Sequence, residues 1–324
     1  MSEKSRLEAS PPIQPEPDDL SFDLDKALRS VVTLNSRIPS DAFTAPILGE
    51  ERSGSGVVIR ESGLVLTIGY LITEAENVWI TDANGRVTPA HALAYDQVTG
   101  FGLVQALDRL NLPALEFGRS GEAKLNDPVV IASGGRGKYV RARIVAKQEF
   151  AGYWEYLLDE AIFVAPAHPL WGGAALIDGH GKLLGIGSLH LQQTGDEGRP
   201  QDINMIVPID LLAPVLDDLL TYGRINKPPR PWLGLYAGES GGRIVVANVV
   251  DDGPAASAGM REGDIISAVR DSSVSELADF YRKVWSCGPA GAEILVEVVR
   301  DRRSQWLRIK SVDRSSHLKK PRLH

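Results

Sequence analysis

Gly54-Ser55-Gly56-Val57-Val58-Ile59, followed closely by Gly63-Leu64-Val65-Leu66-Thr67, sets the pattern of this sequence: a short apolar run, a turn residue, then another apolar run. The pattern extends in both directions. Upstream lies Val31 to Leu34, and downstream come Val78 to Thr81, Leu103 to Ala106, Val129 to Ala132, Arg141 to Ala146, Ala174 to Ile177, Lys182 to Leu189 and Ile203 to Val207. Runs of this length, rich in Val, Ile and Leu and separated by Gly, Asp, Asn and Pro, indicate a sandwich or barrel rather than alternating strand and helix units. Two barrels of about six strands each account for the extent of the pattern.

The pattern breaks at Ile209 to Tyr222, where Leu211, Leu212, Val215, Leu216, Leu219 and Leu220 repeat at helical spacing behind Pro208 and Asp210. The stretch that follows, G-R-I-N-K-P-P-R-P from Gly223 to Pro231, has the proline density of a semi-rigid linker. Beyond it, Arg243 to Val250 and Glu293 to Arg300 read as strands, while Ser275 to Trp285 places Leu277, Phe280, Tyr281 and Val284 on one helical face. The sequence therefore divides into a flexible Pro- and acid-rich head (1–26), a mainly β domain (27–222), a linker (223–230), a small mixed α/β domain (231–312) and a basic tail (313–324) that reads as a solvated end.

Composition narrows the function. The 324 residues carry a formal net charge of −7 with acids and bases interspersed, and no stripe of Lys and Arg offers a phosphate-binding surface, which speaks against nucleic acid. A single cysteine, Cys287, leaves no internal disulfide, and no Cys/His spacing suggests a metal site, so neither metal nor cofactor is expected. The first residues, Met1 to Ser10, are polar, and no apolar stretch suits a signal-peptide core or a membrane span. A cytoplasmic location is the expectation, with a periplasmic one if translation starts further upstream.

Three ordered landmarks carry a family resemblance. Gly54 to Ile59 with Gly63 to Thr67, the run Asp96 to Ala106, and Gly172-Gly173-Ala174-Ala175-Leu176-Ile177-Asp178 with Gly181 to Ile186 behind it are similar to those of HtrA/DegP-type serine proteases. Pro254-Ala255-Ala256-Ser257-Ala258-Gly259-Met260-Arg261-Glu262-Gly263-Asp264-Ile265-Ile266 resembles the P-A-A-x-A-G-L-x-x-G-D-x-I signature of the PDZ domains in the same family. The resemblance implies a mainly β chain, a trypsin-like double β-barrel followed by a small mixed α/β PDZ domain.

The resemblance also exposes what is missing. The family's catalytic histidine falls on Tyr70 in Thr67-Ile68-Gly69-Tyr70-Leu71-Ile72, and a phenol is a poor base near neutrality. The orienting aspartate falls on Gly100 and the serine nucleophile on Trp171. Pro169, two residues before Trp171, has no N–H to give to an oxyanion. The reading is a pseudoprotease. The alternative is an active HtrA-like endopeptidase of protein quality control with a rearranged site drawn from His91, His168, His180, His190, Ser133 and Ser188.

In the PDZ module the resemblance places the carboxylate-binding loop at Trp232-Leu233-Gly234-Leu235 and the other wall of the groove on the helix bearing Leu277, Phe280 and Tyr281, although these apolar side chains equally suit the domain's core. Gly234, between two apolar residues, suggests positive φ or close backbone approach. Arg230 stands near that loop as a candidate positive charge or a solvated linker residue. The partners implied are protein C-termini or unfolded peptides, an active HtrA paralogue, and further copies of the chain in a trimer. A third reading closes the groove with the chain's own C-terminal Leu323-His324 end.

Overall fold

The computed structural model describes residues 21–135, 138–194 and 198–319. Strands β1 (Val31–Arg37), β2 (Glu51–Arg60), β3 (Leu64–Ile68), β4 (Asn77–Thr81), β5 (Val87–Tyr95) and β6 (Phe101–Ala106) close into a barrel in the order β1-β2-β3-β6-β5-β4. Closure comes from β4 returning to β1, with Ile80 opposite Leu34, so that every strand has two neighbours and no edge is left unpaired. The continuous apolar run of β3 is buried at all five positions, as expected of a strand covered on both faces.

The second barrel repeats the design with β7 (Pro128–Ala132), β8 (Tyr139–Gly152), β9 (Tyr156–Ala165), β10 (Ala175–Ile177), β11 (Leu183–Thr194) and β12 (Pro200–Pro208), closed in the order β10-β11-β12-β9-β8-β7. Strand β8 outlasts its barrel. Its pairing with β7 spans Tyr139 to Arg143, but its pairing with β9 runs on to Gly152 opposite Tyr156, projecting a hairpin toward the second domain. Ala151 and Leu157 of this hairpin pack in the second domain's core, not their own.

A helix (Ala213–Tyr222) follows the barrels and ends on Gly223 in the left-handed region, φ +69°. The expected helix over Ile209 to Tyr222 starts instead as a 3-10 turn at Ile209–Leu211, with a proline in the first turn of the α-helix that follows. The second domain is a sheet of β13 (Leu235–Ser240), β14 (Arg243–Val249), β15 (Ile265–Val269), β17 (Glu293–Arg300) and β18 (Arg303–Lys310), with β16 (Ser272–Ser273) paired to β15. Alternate residues of β17, Ile294, Val296 and Val298, face a core that a helix (Leu277–Ser286) covers.

Both ends of the chain depart from expectation. The head was expected to be flexible to residue 26, yet Asp23 caps a short helix α1 (Leu24–Arg29) whose Leu24 and Ala27 are buried. The tail is not a solvated run: Asp313 caps a 3-10 turn at Arg314–His317, and the Lys319 amide donates to Glu74 at 2.8 Å. His317 lies between Trp232 and Phe43, with ring centroids 4.9 and 5.8 Å away. Leu323-His324 lies outside the described residues.

Candidate functional site

Tyr70 sits on a 3-10 turn, Gly69–Leu71, directly after β3. The turn is fixed from below by Arg52, whose guanidinium donates to the carbonyls of Tyr70 (2.7 Å) and Thr73 (3.1 Å) and to Thr44 Oγ1 (2.7 Å). Burial lowers the Arg52 pKa to about 10 against the pull of Glu74. Glu74 in turn accepts from the amides of Phe43 and Thr44 and from Thr44 Oγ1, so the charges of this cluster are paired or hydrogen-bonded.

Tyr70, Gly100 and Trp171 all line one cavity of about 320 Å³. The Tyr70 hydroxyl donates to the Ser188 carbonyl at 2.9 Å, and burial pushes its pKa well above the ordinary phenol range, with a hydrogen bond to Trp171 pulling the other way. It is a neutral donor, not a base. Gly100 has φ +85°, a conformation that disfavours any side chain, and its carbonyl accepts from the Gly69 amide at 2.7 Å. Asp96, the nearest buried acid in sequence, spends its oxygens on Val98 N, Thr99 N and Thr99 Oγ1 in its own turn. The Trp171 ring lies 5.2 Å from that of His190, and exposed Pro169 contributes no amide.

The one Ser/His approach in the set considered is Ser133 Oγ to His168 Nε2, 3.5 Å, with both residues buried. Its tautomer is wrong for a general base. The Leu170 amide donates to His168 Nδ1 at 2.9 Å, so in the neutral ring the proton sits on Nε2, the atom that would have to accept from serine. Burial also lowers the His168 pKa, keeping the ring neutral. Ser188 lines the cavity, while His190 pairs with Asp202 at 3.5 Å; among the described residues no hydrogen bond joins Ser188 to His190. His91 and His180 are exposed on the surface of the barrels.

At the other predicted site, the amides of Leu233, Gly234 and Leu235 converge on a single carboxylate. It belongs to Glu155, at the tip of the β8–β9 hairpin. Leu233 N lies 3.2 and 3.0 Å from its two oxygens, Gly234 N 2.8 Å and Leu235 N 3.2 Å from Oε1. Gly234 has φ +75°, and a Cβ there would stand 3.1 Å from the Trp232 ring and 3.3 Å from Pro254, so both reasons for a glycine hold together. The Ala237 amide donates to the carbonyl of Tyr153 in the hairpin turn at 3.0 Å, a backbone bond from β13 to the hairpin. Tyr281 closes the contact: its hydroxyl donates to the Gly152 carbonyl (2.8 Å) and accepts from the Glu155 amide (3.2 Å).

Glu155 holds φ +60°, uncommon for a residue with a side chain, and is buried. Burial pushes its carboxyl up to about 7, against the three amides and, more weakly, Arg314. The other predicted groove residues divide. Tyr281 faces the hairpin, while Phe280 and Leu277 are buried in the domain's own core. Trp232 turns from the groove toward Phe43 and His317. Arg230 is exposed, with its guanidinium 4.2 Å above the Trp285 ring and not on the carboxylate. Among the described residues it is the hairpin that closes the groove, and residue pattern gave no sign of Glu155.

Residues 54–186 match the trypsin-like peptidase domain and residues 231–310 the PDZ domain. The chain thus carries a trypsin-like peptidase domain followed by a PDZ domain, the arrangement of the HtrA-type serine proteases it is similar to. It is similar to a Haemophilus influenzae protein named a probable periplasmic serine protease do/HhoA-like, 26% identical over 287 residues, which span 82% of this chain and 59% of that one. Serine endoprotease DegS of Escherichia coli is 26% identical over 276 residues, 79% of this chain and 75% of DegS. The solved HtrA-type protease AlgW with tripeptide superposes with a TM-score of 0.52 at 24% identity, covering 92% of this chain and 97% of that one. Relatives named as periplasmic overturn the expectation of a cytoplasmic location. Among the described residues no helix is long and apolar enough to cross a membrane.

Proposed function

We propose that this chain is a non-proteolytic HtrA-type protein that binds protein C-termini or unfolded peptide ends through its PDZ loop, and that its own β8–β9 hairpin occupies that loop until a partner displaces it. The convergence of three amides on the Glu155 carboxylate carries the reading, because a terminal carboxylate presents the same two oxygens to the same donors. The relative AlgW was solved with a tripeptide, which supports a peptide as the ligand class. Tyr70, Gly100, Trp171 and Pro169 support the absence of proteolysis, since none supplies base, acid, nucleophile or oxyanion donor. Trimer formation and pairing with an active HtrA paralogue belong to the same reading.

Two measurements on the full chain test it. A fluorophosphonate probe should leave the protein unlabelled; labelling abolished by Ser133→Ala or Ser188→Ala restores the endopeptidase reading. A fluorescein-labelled peptide ending in an apolar residue should bind, and its amidated form should not. Equal binding of both forms removes the carboxylate from the argument and leaves the groove a structural joint.

A further inference from the structure

The cavity at the replaced triad is a site in its own right. Its walls are ring faces from three parts of the molecule: Tyr70 and Trp171 of the barrels, Trp154 and Tyr156 of the hairpin, and Tyr236 of β13. Trp154 and Tyr156 stack 5.5 Å apart with only 13° between their planes, giving a flat wall. The hydroxyls are turned to other acceptors. Tyr70 donates to the Ser188 carbonyl, Tyr156 to the Thr99 carbonyl at 2.7 Å, and Tyr95 to Gln97, so these residues offer the cavity their rings.

One ionised side chain lines the space. Arg314, half-buried, is held by Gln97 Oε1 at 2.7 Å and lies 5.9 Å from the centre of the Phe43 ring. Among the described residues it has no carboxylate within ion-pair distance. Glu155 feels its charge but spends its oxygens on the three PDZ amides. No acid lines the cavity. An apolar, ring-lined space of about 320 Å³ with one guanidinium falls within the range of small-molecule sites. The chemistry that fits is a flat ring carrying one anionic group, the ring between aromatic faces and the anion on a planar fork of N–H donors.

We propose that the remodelled cleft binds a small aromatic carboxylate, its ring against Trp171 and Tyr70 and its carboxylate at Arg314. The site stands with the PDZ groove occupied as it is here, so the proposal does not rest on peptide binding at that groove.

The test titrates the full-length protein with 2-naphthoate and with neutral 2-naphthalenemethanol by isothermal calorimetry. Wild type should bind naphthoate at a single saturable site, about tenfold more tightly than the alcohol, the worth of a charge-assisted hydrogen bond. Arg314→Gln should erase that difference by weakening naphthoate alone, and Trp171→Ala should weaken both ligands. Far-UV circular dichroism checks that each variant is folded; should Arg314→Gln fail to fold, the wild-type contrast between the two ligands still reads the charge. Absence of saturable binding to folded wild type, equal affinity for acid and alcohol, or naphthoate binding indifferent to both substitutions each overturns the proposal.

Discussion

Replacing Glu155 by glycine separates a ligand-binding loop from a structural joint. The substitution removes four hydrogen-bond contacts of 2.8–3.2 Å and frees a backbone that holds φ +60°. Each of these bonds is worth about 1 kcal/mol net, against which stands about 1 kcal/mol for the positive φ that glycine tolerates. A net loss on the order of 3 kcal/mol from hairpin docking is the result. At ~1.4 kcal/mol per factor of ten, the open fraction rises about a hundredfold, and the apparent Kd for a C-terminal peptide tightens by up to that factor. Fluorescence anisotropy on full-length wild type, Glu155→Gly and Glu155→Gln measures it. Gln keeps one acceptor but sets an NH2 group against three N–H donors, so it should open the groove too. The same variants should melt several degrees lower without peptide and regain part of the loss with it. Unchanged affinity in a folded Glu155→Gly protein would show that the carboxylate does not compete, and no binding at all would show that the loop takes no free peptide.

The remaining expectations concern pH, the loop glycine and the cleft at Tyr70, Gly100 and Trp171. The docked Glu155 carboxyl titrates near 7, above the ~4.3 of a free glutamate, so the docked state binds the proton more tightly. Docking is therefore strongest below ~4.3 and weakens as pH climbs toward 7. A peptide terminus is ionised throughout the upper part of that window, so full-length affinity should rise from about pH 5 to 7.5 and this slope should vanish in Glu155→Gln. Arg314 faces Glu155 as a fixed cation, and burial raises the Tyr236 and Tyr281 phenols, so neither tyrosine titrates in this range. Gly234→Val places a branched side chain at φ +75° against Trp232 and Pro254 and should weaken peptide binding at least tenfold in the Glu155→Gly background, read by the same anisotropy assay. Trp171→Ser should give no cleavage of an unfolded protein substrate on gels, since Tyr70, Gly100 and Pro169 remain and such catalytic units act together.

The barrels were legible because period and punctuation agree over many short strands. The runs at Gly56 to Ile59 and Leu64 to Thr67 fall in the C-terminal half of β2 and in all but the last residue of β3, and the alternation in Glu293 to Arg300 becomes β17. Gly234 was legible for the same local reason, a glycine where neighbours and backbone both exclude a side chain. The ends were misread because composition reports propensity and not docking: Arg314, in a basic tail that reads as solvated, makes its contacts at Gln97 and Phe43, 217 residues away in sequence in the first case. Glu155 lay further out of reach. In sequence it is an acid in an aromatic turn, Tyr153-Trp154-Glu155-Tyr156, and its position 78 residues before Leu233 carries no local signature. Only three-dimensional placement sets its oxygens on three amides, and those amides are backbone groups that any sequence could supply. A groove built for carboxylates is thus recognisable from its glycine, while the identity of an internal carboxylate that fills it depends on how far a hairpin such as β8–β9 extends beyond its barrel, a length that alternation alone left open.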